Sequence, residues 1–199
     1  MQNDRRLVAI IGVDGSGKSS VISAVRQRLN SLGIRAEGIP SRSKRRISPE
    51  ISNYEHTPRP LVFCLAKFTW RAITWIYLYI IHYAPLLRRG GIILCDRFYF
   101  DDLLLDPLKY RYAGPIQLVM RLRNFLPHPA MYILLDAPEA VLYARKQEAP
   151  FSEVVKLRQT YLDFVKGREN SFVVDASAPL EKVVEAVYQI ILKRFYITA

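Results

Sequence analysis

Gly12-Val13-Asp14-Gly15-Ser16-Gly17-Lys18-Ser19 reads G-x-x-x-x-G-K-S. The apolar run Leu7-Val8-Ala9-Ile10-Ile11 precedes it, and a helical pattern from Lys18 to about Leu32 follows it. Strand, glycine-rich turn and helix in that order are the context in which this motif is a phosphate-binding loop. Glycines at 12, 15 and 17 let the backbone curl so that its N–H groups point inward at oxyanions, and the helix N-terminus adds its positive dipole end. Lys18 is expected to reach the β- and γ-phosphates of a nucleotide and the Ser19 hydroxyl to ligate Mg²⁺. A glycine turn before an ordinary helix is the plain alternative, and the agreement of strand, loop, Lys-Ser and helix argues against it.

Outward from the loop, Val21, Ile22, Val25 and Leu29 make one apolar helical stripe that Gly33 ends. Ile34 to Ile39 reads as a second strand. Pro40 to Pro60 is polar, basic and proline-punctuated, and predicts a mobile basic loop over about 40–60. Its cluster Arg42, Lys44, Arg45 and Arg46 either grips a phosphate or nucleic-acid backbone or is a solvated surface. Leu61 to Leu87 is the most apolar segment and predicts a buried core helix, with a membrane-surface or dimer face as the alternative. Its uninterrupted part, Ala72 to Ile81, is too short for a transmembrane span.

Ile92 to Cys95 reads as a buried strand with Asp96-Arg97 at its C-terminal end. Leu103 to Pro115 reads as a loop or broken helix, and Ile116 to Phe125 as a short helix. Met131 to Leu135 is a strand ending in Asp136, followed by a helix that Pro138 opens and that carries Arg145 and Lys146. Ser152 to Val165 is helical, Phe172 to Val174 a strand, and Pro179 to about Phe195 a last amphipathic helix. This alternation predicts one α/β domain over 1–199: a parallel sheet, five-stranded, with helices on both faces.

A formal net charge of +11 over 199 residues favours polyanionic ligands: nucleotides, nucleic acid or an anionic membrane surface. The two cysteines, Cys64 and Cys95, sit in apolar runs without partner spacing, as free thiols of a reducing compartment do. The polar start Met1-Gln2-Asn3-Asp4-Arg5-Arg6 leads straight to the first strand and lacks the form of a signal peptide, so a cytoplasmic location is expected.

Asp96-Arg97 lies where ligands bind in open parallel sheets. A carboxylate there can hold the water shell of Mg²⁺ opposite Ser19, and the adjacent arginine can clamp a phosphate of the acceptor. A structural salt bridge is the alternative. Asp14, inside the phosphate loop, is a poor neighbour for a nucleotide phosphate and makes more sense as an acceptor of hydrogen bonds from a second substrate, or in a local Asx turn.

These stretches resemble the thymidylate kinase family, and the resemblance implies the three-layer sandwich of P-loop kinases. Gly12 through Ser20 is similar to that family's G-x-[DE]-G-x-G-K-[ST]-[ST]. Pro85-Leu86-Leu87-Arg88-Arg89-Gly90 through Cys95-Asp96-Arg97-Phe98 resembles its P-A-L-x-x-G to D-R-[YFH] stretch. Leu134-Leu135-Asp136-Ala137-Pro138-Glu139 with Arg145, and Val174-Asp175-Ala176-Ser177 with Pro179-Leu180, resemble two further motifs. The resemblance implies ATP bound by Gly12, Asp14, Gly15, Ser16, Gly17, Lys18, Ser19 and Ser20, with Arg145 over the transferring group and Ala176-Ser177 by the adenine. It implies Ser19 and Asp96 at Mg²⁺, Asp14 on the acceptor's 3′-hydroxyl, and Arg97 on its phosphate, so that Lys18, Asp96, Arg97 and Arg145 form the catalytic set.

The departures fall on the acceptor side. Trp75 stands where the family has a thymine-reading arginine, and Arg71, one turn earlier, is the candidate substitute. The segment after the second strand is reduced to Pro40-Ser41-Arg42, and the lid, over about 145–151, is short. The expected activity is ATP- and Mg²⁺-dependent phosphoryl transfer to a nucleoside monophosphate such as dTMP. A kinase of the same fold acting on a nucleoside, sugar or cell-envelope precursor stays open. So does a regulatory or nucleic-acid-binding protein without turnover. A homodimer is a further possibility.

Overall fold

The computed structural model describes residues 6–39, 60–107, 111–147 and 149–197. The expected basic loop over 40–60, including Arg42, lies outside the described residues apart from Pro60. Five strands form one sheet: β1 Leu7–Ile11, β2 Ala36–Ile39, β3 Ile92–Asp96, β4 Met131–Asp136 and β5 Ser171–Asp175. Their order across the sheet is β2-β3-β1-β4-β5, and every pairing is parallel. Parallel strands covered on both faces read as continuous apolar runs rather than alternations. Leu7–Ile11 and Ile92–Asp96 are accordingly buried at every position. The five parallel strands and flanking helices are the α/β fold expected from the sequence.

Helix α1 (Lys18–Ser31) and helix α8 (Leu180–Leu192) pack together on one face. Arg28 pairs with Glu185 there and stacks over the Tyr188 ring at 4.4 Å. The other face carries α2 (Leu61–Leu78), α4 (Tyr99–Leu105), α5 (Ile116–Arg123) and α7 (Phe151–Val165). Two short helices, α3 (Ala84–Arg88) and α6 (Glu139–Arg145), complete the set. Helix α4 begins four residues before the Leu103 at which a loop or broken helix was expected; burial of Phe98, Asp101 and Leu103 holds it in place.

The expectation of a buried core helix at Leu61–Leu87 is not met. Within α2 only Cys64 and Phe68 are buried. Val62, Phe63, Trp70, Ile73, Ile76, Tyr77, Ile80 and Ile81 are exposed. The helix runs 28 residues, Leu61–Arg88, through a π-helical turn at Tyr79–Tyr83. By length and composition alone the whole helix is enough to cross a bilayer, while its uninterrupted apolar part remains the short stretch 72–81. Lys67 and Arg71 do not interrupt the outer stripe because both are half-buried, off it. The inner side is tied down by Trp75, Tyr83, Leu86 and Leu87, which pack on Leu7, Ile93 and Cys95.

Candidate active site

The loop between β1 and α1 is shaped by glycines that no other residue replaces. A Cβ on Gly12, at φ +143°, would lie 2.5 Å from the Leu135 carbonyl oxygen. A Cβ on Gly15, at φ +93°, would lie 2.5 Å from the Leu142 carbonyl oxygen. The loop thus rests directly on the end of β4 and on α6. Gly17, in the left-handed region at φ 83°, turns the chain into α1. Ser16 is buried, whereas Ser19 and Ser20 are exposed on the first turn of α1.

The Lys18 ammonium sits at the centre of this loop and is 6 % exposed. It donates to the carbonyls of Gly12 at 2.9 Å and Val13 at 2.8 Å, and to Ser16 Oγ at 3.3 Å. Asp14 Oδ1 is 3.9 Å away. A buried ammonium without such partners would be costly. The loop holds the charge ready where phosphate oxygens would exchange for carbonyls.

Two strands neighbouring β1 deliver the rest. β3 ends at Asp96, whose Oδ2 accepts from the Ser19 hydroxyl at 3.1 Å. Asp96 Oδ1 is buried and has no hydrogen-bond partner among the described residues. An orphaned carboxylate oxygen beside a serine hydroxyl is a hard oxygen donor set of the kind Mg²⁺ takes through its waters. The residues present therefore fit that ion.

Arg97 follows in the left-handed region, at φ 62°. Its N–H donates to the Ile10 carbonyl at 3.1 Å. For a non-glycine residue this conformation costs about 1–2 kcal/mol. What it achieves is direction: the guanidinium turns back over the loop and meets Asp14 Oδ1 at 2.5 Å. Val13, Asp14 and Arg97 face Asp106, Lys146 and Tyr161 across a narrow gap of about 10 Å³, room for about one water molecule.

On the β4 side, Arg145 Nη1 donates to the Ala176 carbonyl at 2.8 Å, and the Ala176 N–H donates to the Asp136 carbonyl at 2.6 Å. Arg145 and the 176–177 segment are thus brought together beside the loop. Asp175 Oδ1 accepts from both the N–H and the hydroxyl of Ser177, which lowers the carboxyl's pKa below its ordinary value.

Sequence reading missed Arg158 and Asp106 at this end of the sheet, and named Lys146 only as part of the lid. Arg158, on α7, makes a two-pronged bridge to Asp136 at 2.8 Å and 2.8 Å and bonds Glu139 at 2.6 Å. These hydrogen bonds push the Arg158 pKa up and hold Glu139 low. Its signal was present: Arg158 lies in helical phase with Val154 and Tyr161, both buried, as a solvated arginine does not. Asp106 is buried and lines the gap, and Lys146 lines it too. Both stand in loops where periodicity carries no information.

Trp75 and Arg71 are not among the described residues lining the gap. The Trp75 indole N–H donates to the Pro127 carbonyl at 3.0 Å. Its ring packs edge-on against Phe98 at 5.3 Å and near Tyr83 at 5.7 Å. Arg71 is half-buried on α2.

The family model for thymidylate kinase matches residues 10–187 of the chain. A probable thymidylate kinase 1 of Saccharolobus solfataricus is 25 % identical over 209 residues, covering 96 % of this chain and all of that one. A probable thymidylate kinase of Archaeoglobus fulgidus is 26 % identical over 190 residues, covering 93 % of this chain and 94 % of its own. A thymidylate kinase of Francisella tularensis is 25 % identical over 214 residues, covering 96 % and 97 %.

Proposed function

The chain belongs to the thymidylate kinase family and is a nucleotide kinase; from that premise we propose that it moves the γ-phosphoryl group of ATP to a nucleoside monophosphate, with dTMP the first candidate. The observation that carries this reading is the convergence of Lys18, the Ser19–Asp96 pair and the Arg97–Asp14 pair around one loop. Phosphoryl transfer asks a protein chiefly for position and for charge opposite the equatorial oxygens.

In this reading the loop amides and Lys18 hold the β- and γ-phosphates. Ser19 and Asp96 would hold Mg²⁺, which neutralises charge on the transferring group. Arg97 grips the acceptor phosphate and Asp14 takes an acceptor hydroxyl. Arg145 and Lys146, at the start of the short lid over 145–151, cover the donor side. Ala176-Ser177 lines the adenine.

Base recognition is the part that the family pattern supports least. Trp75 spends its only polar group on Pro127. A thymine carbonyl meeting an indole ring instead of a guanidinium loses a charge-assisted hydrogen bond, and discrimination between bases falls with it. Arg71, on the half-buried side of α2, is the group left on that helix to restore it.

A panel of nucleoside monophosphates with ATP and Mg²⁺, followed by nucleoside diphosphate formation, tests the reading. Selective turnover of dTMP is the expected result. Turnover of a nucleoside or sugar, with none of any monophosphate, would replace it.

The exposed stripe of α2 supports a homodimer. Phe63, Trp70 and Tyr77 recur every seven residues, as do Ala66, Ile73 and Ile80. That is the repeat with which two helices interlock, and no charged residue interrupts it. A second copy of the same stripe is the occupant of matching chemistry.

A further inference from the structure

The elements around the P-loop fall into two groups. The loop rests on the end of β4 and on α6, because a Cβ on Gly12 would lie 2.5 Å from the Leu135 carbonyl oxygen and one on Gly15 2.5 Å from the Leu142 carbonyl oxygen. Backbones that close leave the loop no room to shift unless β4 and α6 shift too. The narrow gap has another wall: Val154, Leu157 and Tyr161 of α7 line it together with Asp14 and Arg97. In the chain, α6 and α7 are joined by residues 146–150.

One guanidinium joins the two groups in space. Arg158 stands on α7 four residues after Val154 and three before Tyr161, so it shares their inward face. Its Nε and Nη2 donate to the two Asp136 oxygens, each at 2.8 Å, and its Nη1 donates to Glu139 at 2.6 Å. Asp136 is the last residue of β4, and Glu139 is the first of α6. All three nitrogens are thus committed, two to the strand and one to the helix. A planar fork that pairs two oxygens fixes direction as well as distance, where an ammonium would fix distance alone.

These bonds close into a circuit. The Asp136 carbonyl accepts from the Ala176 N–H at 2.6 Å, and the Ala176 carbonyl accepts from Arg145 at 2.8 Å. Arg145 ends the helix that Glu139 begins, and Glu139 returns the circuit to Arg158. Exposed ion pairs hold little, because water and salt screen them. Here the Arg158 and Asp136 side chains are only 25 % and 16 % exposed, so the fork is a joint and not a surface contact. Arg158 itself is not among the described residues lining the gap.

We propose that Arg158 is a positioning residue for phosphoryl transfer: it locks the α7 wall of the gap to the strand end and helix that carry the P-loop and Arg145, and so sets how the acceptor meets the transferring group. This inference rests on the phosphoryl-transfer reading given above. In that reading Arg97 and Asp14 anchor the acceptor by its phosphate and one hydroxyl, and the α7 wall sets the angle of the rest. Transfer is sensitive to that placement, since a misplacement of about 1 Å costs roughly 10²-fold in rate. The groups that grip the two substrates, Lys18 for ATP and Arg97 with Asp14 for the acceptor, lie outside the circuit and keep their own partners. Loss of Arg158 therefore lowers the rate and spares both affinities, whereas loss of an arginine that serves only the fold weakens rate and binding together.

Arg158→Gln is compared with the wild-type chain on the acceptor that wild type phosphorylates fastest. Single-turnover transfer at saturating ATP, Mg²⁺ and acceptor is expected to slow about 10²-fold. Calorimetric Kd values for a non-hydrolysable ATP analogue and for the acceptor are expected to stay within about threefold of wild type. An unchanged rate overturns the proposal, and so does a slower rate with both affinities weakened in step. Arg158→Lys keeps the charge without the fork; it is expected to recover thermal stability and to leave the rate at least about tenfold low. Recovery of rate and stability together overturns the proposal. Should Arg158→Gln fail to fold by circular dichroism, Glu139→Gln opens only the α6 limb of the joint: a rate about tenfold lower at unchanged affinities is expected, and an unchanged rate overturns it. A wild-type chain that phosphorylates no monophosphate, nucleoside or sugar sinks the phosphoryl-transfer reading and this inference with it; an active wild type matched by an equally active Arg158→Gln chain sinks the inference alone.

Discussion

The guanidinium of Arg97 and the carboxylate of Asp14 meet at 2.5 Å across the mouth of the P-loop. The arginine that would hold the acceptor's phosphate and the aspartate that would hold its hydroxyl thus hold each other, over a gap the size of one water molecule. An acceptor entering between them has to part this pair. It replaces each charge's partner with one of its own groups: phosphate for the carboxylate, hydroxyl for the guanidinium. The pair keeps the site preorganised without leaving a half-buried charge unmatched.

Arg97→Ala would remove the proposed clamp on the acceptor's phosphate and leave the Lys18 cradle in place. Acceptor kcat/KM is expected to fall by about 10²–10³, with the ATP dissociation constant changed by no more than about threefold. Steady-state kinetics in both substrates read this. Equal losses for ATP and acceptor would make Arg97 a structural residue.

Asp96→Asn keeps a partner for the Ser19 hydroxyl and removes the orphaned anionic oxygen. The Mg²⁺ concentration for half-maximal activity is expected to rise about 10- to 100-fold. The melting temperature should hold or rise, because a buried unpaired charge is gone. A melting temperature several degrees lower with an unchanged Mg²⁺ requirement would show that Asp96 serves the fold and not the ion.

Cys95, in β3, has its thiol pKa pushed far up from 9.0, first by burial and then by the charges of Asp96 and Asp101. The folded chain therefore keeps this proton where the unfolded chain loses it. Stability contributed by the protonated thiol is fully present below about pH 9 and falls as pH rises further, by at most about 1.4 kcal/mol per pH unit. Urea unfolding at pH 8 and pH 10 reads the slope, and Cys95→Ala is expected to flatten it. Tyr132, raised by its burial and by Asp101, adds to the fall only above its ordinary value of 10.0.

Ile73→Glu places a charge in the middle of the exposed seam of α2, where Ile73 is 58 % exposed. The fold should be unaffected, since nothing buried changes. Sedimentation is expected to move from dimer to monomer. A wild-type chain that is already monomeric at micromolar concentration removes the dimer reading, and sedimentation with anionic vesicles abolished by the same change would assign the stripe to a lipid surface.

What could be read from the chain followed what periodicity and glycine chemistry encode. Leu7–Ile11 and Ile92–Cys95 announced buried parallel strands because both faces of the sheet are covered. The P-loop announced itself because Gly12 and Gly15 stand where a Cβ would strike a carbonyl. Asp96 and Arg97 were found by their place at a strand end. Arg158 was passed over because an arginine on an amphipathic helix reads as solvent-facing until its carboxylate partners, nineteen and twenty-two residues away, are brought beside it. The α2 segment was misjudged because apolar composition reports that a surface wants covering, and says nothing of whether the same chain covers it.

The π-helical turn at Tyr79–Tyr83 fits one more residue into the long helix than a regular α-helix would hold there. One residue is 100° of rotation, so the turn sets the phase between two halves with different duties. Upstream, Trp70, Ile73 and Tyr77 look outward. Downstream, Tyr83, Leu86 and Leu87 look into the sheet. Deleting a single residue from the turn would swing one half a quarter-circle against the other, pulling Leu86 and Leu87 off β3 or the seam off its bearing. Asp96 ends that strand, so the helix wound through this turn packs on the same strand that carries the carboxylate beside Ser19.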